Sequence, residues 1–101
     1  MAELYATGSR QWQPTRWPGV EASATGDHVH SGASLSRMRA GARISWHNHP
    51  HGEHTYIVEG EAMFGEVHAH AGDVVYTPPD EGHEVRALTD VVFLGVAPRE
   101  F

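Results

Sequence analysis

The sequence predicts an all-β fold, a small jelly-roll β-barrel built from short strands. Runs of β-forming residues are short, and turn signals separate them at frequent intervals, which is typical of a sandwich or barrel. The 11 glycines and 6 prolines among the 101 residues fit that many turns. No segment has the periodicity of an amphipathic helix. A chain of this length forms one domain with a small core, which about six to eight strands would close.

The predicted strands follow an irregular start. The first 32 residues are polar and aperiodic, and we expect Trp12 and Trp17 to pack over an open edge or an end of the barrel, because each ring buries a large area. In segment 33–39 the alternation puts Leu35 on one face together with Arg37 and Arg39, and Ser34, Ser36 and Met38 on the other. The predicted strands are 20–24, 28–30, 33–39, a ligand-bearing strand that follows Gly41, a run opened by Glu53, and then 62–64, 67–69, 74–76, 83–88 and 91–97.

A candidate metal site lies around the middle of the chain. His47 and His49 are two residues apart, so both side chains leave the same face of an extended strand. Pro50 and Gly52 break that strand, and a hairpin there would bring Glu53 beside the two imidazoles. His83 follows the turn signal of residues 78–82 and is the expected fourth ligand.

These four side chains suit a divalent transition metal. Three neutral imidazoles and one carboxylate accept Fe, Mn, Ni, Zn, Co or Cu, and the ligand types alone leave that choice open. The chain has no cysteine, so no thiolate biases the site toward softer metals.

The His-x-His spacing alone is weak evidence. It recurs at His28/His30 and His68/His70, which lack a following glutamate and flanking glycines, so we interpret those pairs as polar strand faces or loop residues. The plainer alternative for His47/His49 is the same solvated strand, and Glu53 would then be only a charge at a hairpin turn.

The framing residues resemble the motifs of the cupins. Their first motif reads Gly, five residues, His-x-His, three or four residues, Glu, six residues, Gly, and it is filled by Gly41, His47, His49, Glu53 and Gly60. In the second motif, Gly72, Pro78 and His83 match, whereas Asp80 stands in place of a glycine and Ala87 in place of an asparagine. The resemblance covers residues 41–87 directly. Both departures fall at turn and packing positions and leave the ligands intact.

Resemblance to the small single-domain cupins implies a jelly roll of the double-stranded β-helix type. The single domain would span residues 1–101, with residues 1–32 packed on a barrel core of residues 33–97. It also implies a homodimer, for which the tryptophan-rich N-terminal segment and the 91–94 strand are the candidate surfaces, since small barrels leave sheet edges to cover.

The resemblance implies one metal ion held by His47, His49, Glu53 and His83. The activity it suggests is that of a metal-dependent enzyme on a small organic molecule, most of all a dioxygenase-like one, with isomerisation or decarboxylation as further possibilities. Glu53 would also be the catalytic base. The alternative is a non-catalytic metal- or ligand-binding sensor, since some small cupins are zinc-binding domains attached to anti-sigma regulators. One scaffold hosts many chemistries, so the ligand set does not determine which of these functions the protein has.

Strand parity names candidate pocket residues around the metal. Residues of the same parity as the ligands, together with neighbouring-strand positions, give Arg37, Ser45, Thr55, Ile57, Tyr76, Val85 and Phe93. Arg37 would serve an anionic substrate, although a solvated position near a strand end is the plainer interpretation. Tyr76 is expected to pack rather than to act as an acid. His54 has the opposite parity to Glu53 and should face away.

Charge and composition exclude several classes of function. The net charge is −6 with seven basic residues, all arginine, which argues against a nucleic-acid partner. No segment approaches the apolar length that crosses a bilayer, and no signal peptide is visible in the sequence, so we expect a cytoplasmic protein without a membrane partner.

Overall fold

The structure, a computed structural model, describes residues 1–25, 31–47 and 50–98, without the side chains of residues 31, 46 and 47. A single turn of 3₁₀-helix (Thr7–Ser9) precedes ten strands. The strands are β1 (Gln13–Pro14), β2 (Val20–Ala24), β3 (Ser31–Met38), β4 (Arg43–His47), β5 (Glu53–Glu59), β6 (Glu61–Phe64), β7 (Val67–His70), β8 (Val74–Thr77), β9 (His83–Ala87) and β10 (Val91–Pro98). The prediction of an all-β fold is confirmed.

Two antiparallel sheets face each other. The larger sheet has the strand order β1-β2-β3-β10-β5-β8, and the smaller has the order β4-β9-β6-β7. From β3 onward, every connection except the one between β6 and β7 crosses from one sheet to the other, as in a jelly roll. Within the described residues no helix is long and apolar enough to cross a membrane.

The core lies between the sheets and follows the two-residue period of the strands. In β5, Thr55 and Ile57 are fully buried while their neighbours Tyr56 and Val58 are exposed. The largest side chains of the core cluster are Phe64 and Phe93, whose rings meet edge to face at a centroid distance of 5.9 Å. These rings fill the middle of the barrel and form one boundary of the cavity described below.

Most predicted strands match. The first predicted strand coincides with β2, and the predicted hairpin around Gly65 is the β6–β7 pair. The short strand β1 was not predicted, because two residues give no periodicity. The strand predicted at residues 28–30 lies outside the described residues.

Candidate metal centre and its cavity

Glu53 and His83 line one cavity of about 190 Å³ between the two sheets. Glu53 opens β5 in the larger sheet, and His83 opens β9 in the smaller one, so the fold brings together two residues 30 positions apart in the sequence. His83 is only 9% exposed. The other described residues of its walls are Trp17, Ser34, Ser36, Ile44, Phe64, Val85, Phe93 and Gly95.

Small residues beside Glu53 keep this space open. Gly95 on β10 pairs with Ser34 on one side and with Thr55 on the other. A Cβ atom added at Gly95 would lie 3.1 Å from Oε1 and 3.2 Å from Cδ of Glu53, so the carboxylate packs directly against the glycine backbone. Two residues along β10, Phe93 fills the equivalent position. The cavity therefore begins at Gly95, which has no side chain to fill the space that the ring of Phe93 fills two residues earlier.

Buried threonines contact two of the four predicted ligands, Glu53 and His83. Thr55 is fully buried and donates a hydrogen bond of 3.0 Å from Oγ1 to Oε1 of Glu53. Thr77, directly opposite Glu53 on β8, places Oγ1 3.3 Å from Nδ1 of His83. Which of these two atoms donates depends on the histidine tautomer. With Nδ1 engaged in this way, Nε2 becomes the nitrogen suited to bind an ion.

The backbone places His47 opposite His83. The two Cα atoms are register partners in the antiparallel β4–β9 pair. Residues directly opposite each other in such a pair have Cβ atoms about 4.5–5.5 Å apart on one face of the sheet. The side chain of His47, and His49 altogether, lie outside the described part of the chain.

The two donors that the structure describes, Glu53 and His83, fit a first-row divalent ion. Glu53 supplies a carboxylate and His83 an imidazole at the same cavity, and both have a hydroxyl partner that restricts their rotation. Among the side chains that the structure describes, no group of three or more His, Cys, Asp or Glu residues could hold a metal ion. Of the four predicted ligands, that description includes only Glu53 and His83.

Four of the seven predicted pocket residues lie at or beside the cavity. Val85 and Phe93 line it, while Thr55 and Ile57 are buried next to Glu53 along β5. Thr55 contacts Glu53 directly, whereas Ile57 belongs to the apolar core.

Ser45 is not in the pocket, and the reason is a bulge. The register of β4 against β9 shifts between Ile44 and His47, so the parity counted back from His47 does not reach the earlier residues. Ile44 is buried, and Ser45 and Arg43 are exposed. Ser45 instead accepts a hydrogen bond of 2.9 Å from Nε1 of Trp17.

Tyr76 and Arg37 also lie outside the cavity. Val75 and Thr77 are the inward residues of β8, so Tyr76 faces outward, where it is 52% exposed and packs on the ring of His54. The exposure of His54 agrees with its predicted parity.

Arg37 lies on the outer face of β3. Its Nε atom donates a 2.8 Å hydrogen bond to Glu21, and its guanidinium lies over the ring of Trp12. Arg37 is therefore not among the described lining residues of the cavity, and its predicted solvated alternative describes the position.

Sequence reasoning missed several residues of the site. Ser34 and Ser36 had been placed on one strand face with Met38, which was correct, but that face was not recognised as the inner one. Met38 was the available signal, since an apolar residue on an otherwise serine-rich face marks the core side. Gly95 and Phe64 gave no signal, because only the fold brings them beside Glu53 and His83.

Solved structures similar to this one support the fold. The polyketide cyclase RemF from Streptomyces resistomycificus superposes with a TM-score of 0.86 at 16% identity, over 99% of this chain and 81% of that one. A protein provisionally named an acetylacetone dioxygenase, from Methylibium petroleiphilum PM1, gives 0.82 at 15% identity, over 96% and 77%.

A third similar structure is a complex of regulatory proteins. The complex of Rhodobacter sphaeroides SigE with the anti-sigma ChrR matches with a TM-score of 0.76 at 22% identity, over 91% of this chain and 50% of that one. At these identities the likeness establishes the fold. A search of curated protein sequences found no match.

The family assignment comes from the sequence as a whole. The model of the ChrR cupin-like domain matches residues 2–100, nearly the full chain. The expected resemblance to cupins is thereby confirmed, and the chain belongs to the family of ChrR cupin-like domains.

Proposed function

We propose that this cupin binds one divalent transition-metal ion through His47, His49, Glu53 and His83. The observation that carries the proposal is the position of Glu53 and His83 on the same cavity, from opposite sheets. The register of His47 opposite His83 supports it, because residues so paired share a sheet face. When bound, the ion would supply Lewis acidity, or redox chemistry if it is iron, manganese or copper.

We further propose that the protein is an enzyme acting on a small organic molecule, with a dioxygenase-like reaction as the leading candidate. A cavity of about 190 Å³ suits a small molecule. Its largely apolar walls exclude water from one side of the reacting group, while the Glu53 carboxylate is positioned to hold or accept a proton. Isomerisation and decarboxylation use the same groups and remain the other candidate reactions.

A metal-binding regulatory module is the second candidate. The family match to the ChrR cupin-like domain favours it, as does the similar fold in the complex of an anti-sigma protein with its sigma factor. In this function the cavity would hold a metal or a small ligand without turnover, and occupancy would change the surface offered to a partner.

One experiment separates the two candidates. Protein purified without added metal is analysed for its metal content, and oxygen uptake is then measured with small diketones and phenols. Iron or manganese together with substrate-dependent oxygen uptake is expected for the enzyme. Firmly held zinc without turnover would contradict the enzyme and favour the regulatory module.

We also propose that the protein forms a homodimer through the outer face of β10, β5 and β8. Two rows of register partners there carry no Asp, Glu or Arg: Leu94, Tyr56 and Val74, and then Val96, His54 and Tyr76. Of these residues, Tyr56, Val74, Tyr76 and Val96 are exposed. The predicted 91–94 surface needs correction, because Val91 and Phe93 are buried in the core and only Val92 and Leu94 face outward.

A further inference from the structure

Ser34 and Ser36 lie on the face of β3 that lines the cavity, where Ser34 is exposed and Ser36 is half-buried. Both line the cavity, and Met38, two residues further along the same face, is buried. Within residues 1–25, 31–47 and 50–98, neither serine hydroxyl has a hydrogen-bond partner. Two polar groups are thus directed at the space beside Glu53, and they contribute nothing to the packing of the core.

Apart from Glu53, His83 and the two serines, the described part of the cavity wall is apolar. Aromatic rings of Trp17, Phe64 and Phe93 form much of it, and Ile44 and Val85 complete it. Among the described lining residues, Glu53 is the only Asp, Glu, Arg or Lys. The Glu53 carboxylate would repel a carboxylate or phosphate group beside it, so a neutral ligand fits better.

We propose that Ser34 and Ser36 recognise the hydroxyl or carbonyl oxygen of a small, planar, uncharged ligand of the phenol or enol type. This inference rests on the proposed function in one respect, namely that the cavity beside Glu53 and His83 is the ligand site. The ring of the ligand packs against Phe93 and Phe64, and its oxygen replaces the water that otherwise solvates the serine hydroxyls.

The volume of the cavity agrees with a ligand of one ring. Apolar cavities of about 150 Å³ hold a benzene molecule, and this cavity measures about 190 Å³. The aromatic walls favour a flat ligand, because rings stack offset or edge to face on one another.

The test compares phenol with toluene, which has nearly the same shape but no hydroxyl. Each is titrated into metal-free protein, and binding is followed by the amide NMR shifts of Ser36 and Gly95. Phenol should bind about three- to tenfold more tightly than toluene, the worth of one hydrogen bond. The double variant Ser34→Ala/Ser36→Ala should lose this preference and keep its affinity for toluene. Ser9→Ala, in the 3₁₀ turn outside this cavity, is the matched control.

Three results would overturn the inference: equal binding of the two probes, a preference that survives the double variant, or no binding of either probe. Retained toluene binding by the double variant also shows that the variant is folded. Because the titration uses metal-free protein, its outcome is independent of metal binding. A protein that takes up no metal yet discriminates phenol through the serines would refute the metal site and leave this inference standing.

Discussion

Thr77 decides how firmly the imidazole of His83 is held. Its hydroxyl is 3.3 Å from Nδ1, and both side chains are buried, so water does not compete for this contact. Metal-binding histidines generally need such a partner on the second ring nitrogen to fix the tautomer and orientation. Thr55 has the same relation to Glu53.

Replacing Thr77 by Val removes the hydroxyl and keeps the shape of the side chain. We expect the metal affinity to fall about 10- to 100-fold, the usual loss when such a partner is removed. Competition with a chromophoric chelator measures this affinity. Thr7→Val, at an exposed position in the 3₁₀ turn, is the control and should bind metal like the wild type. An unchanged affinity in Thr77→Val would show that Thr77 does not position the ligand.

At the scale of single residues, sequence reasoning succeeded where a motif fixes the position and failed where only parity was available. Glu53 and His83 lie together as their motifs predict. Ser45 lies outside the cavity, because the bulge adds one residue to β4. The alternation of inward and outward side chains is therefore shifted by one position before the bulge. The pocket prediction for Tyr76 had a simpler weakness. In the short strand β8, nothing in the sequence tells which of the two alternating faces is buried.

At the scale of elements, the turns joining the strands explain the motif glycines. Gly60 connects β5 to β6 with φ of +82°, in the left-handed region. A Cβ atom there would also collide with the carbonyl oxygen of Asp90 in the β9–β10 turn. Asp80, which replaces a motif glycine, has φ of 60°, a conformation that aspartate tolerates better than most residues.

We expect Gly60→Ala to be far more damaging than Gly65→Ala. Both glycines have positive φ, so each substitution costs about 1–2 kcal/mol in backbone strain. Only at Gly60 does the new methyl group meet another turn; at Gly65 no described atom lies within 4 Å. In urea unfolding, Gly60→Ala should therefore lose about 1–3 kcal/mol more of the free energy of unfolding than Gly65→Ala, the usual cost of steric strain in a packed site. Equal losses would mean that the contact between the two turns is not tight.

At the scale of the whole molecule, the outer face of β10, β5 and β8 should decide the oligomeric state. Tyr76→Glu puts a charge into this apolar face, and burying an unpaired charge is costly. Sedimentation equilibrium should therefore show a dimer for the wild type and a monomer for the variant. Val67→Glu, at an exposed position of β7 in the other sheet, is the control and should remain dimeric. A monomeric wild type would refute the proposed dimer.

The overall architecture was predictable because strand period, turn residues and the two motifs agree with one another. The cavity between the two sheets could not be predicted from these local signals. It depends on Gly95 and Ser34 being register partners, and no local pattern reveals a pairing between strands about 60 residues apart.

The most direct test of the account is the metal content of histidine variants after reconstitution and gel filtration. About one metal ion per chain is expected for the wild type and for His68→Ala, whose exposed ring contacts Glu61 outside the cavity. His49→Ala and His83→Ala should each lose most of the metal while remaining folded, and the wild type should unfold at a higher temperature with metal than without it. Full metal content in both site variants, or none in the wild type, would contradict the four-ligand site.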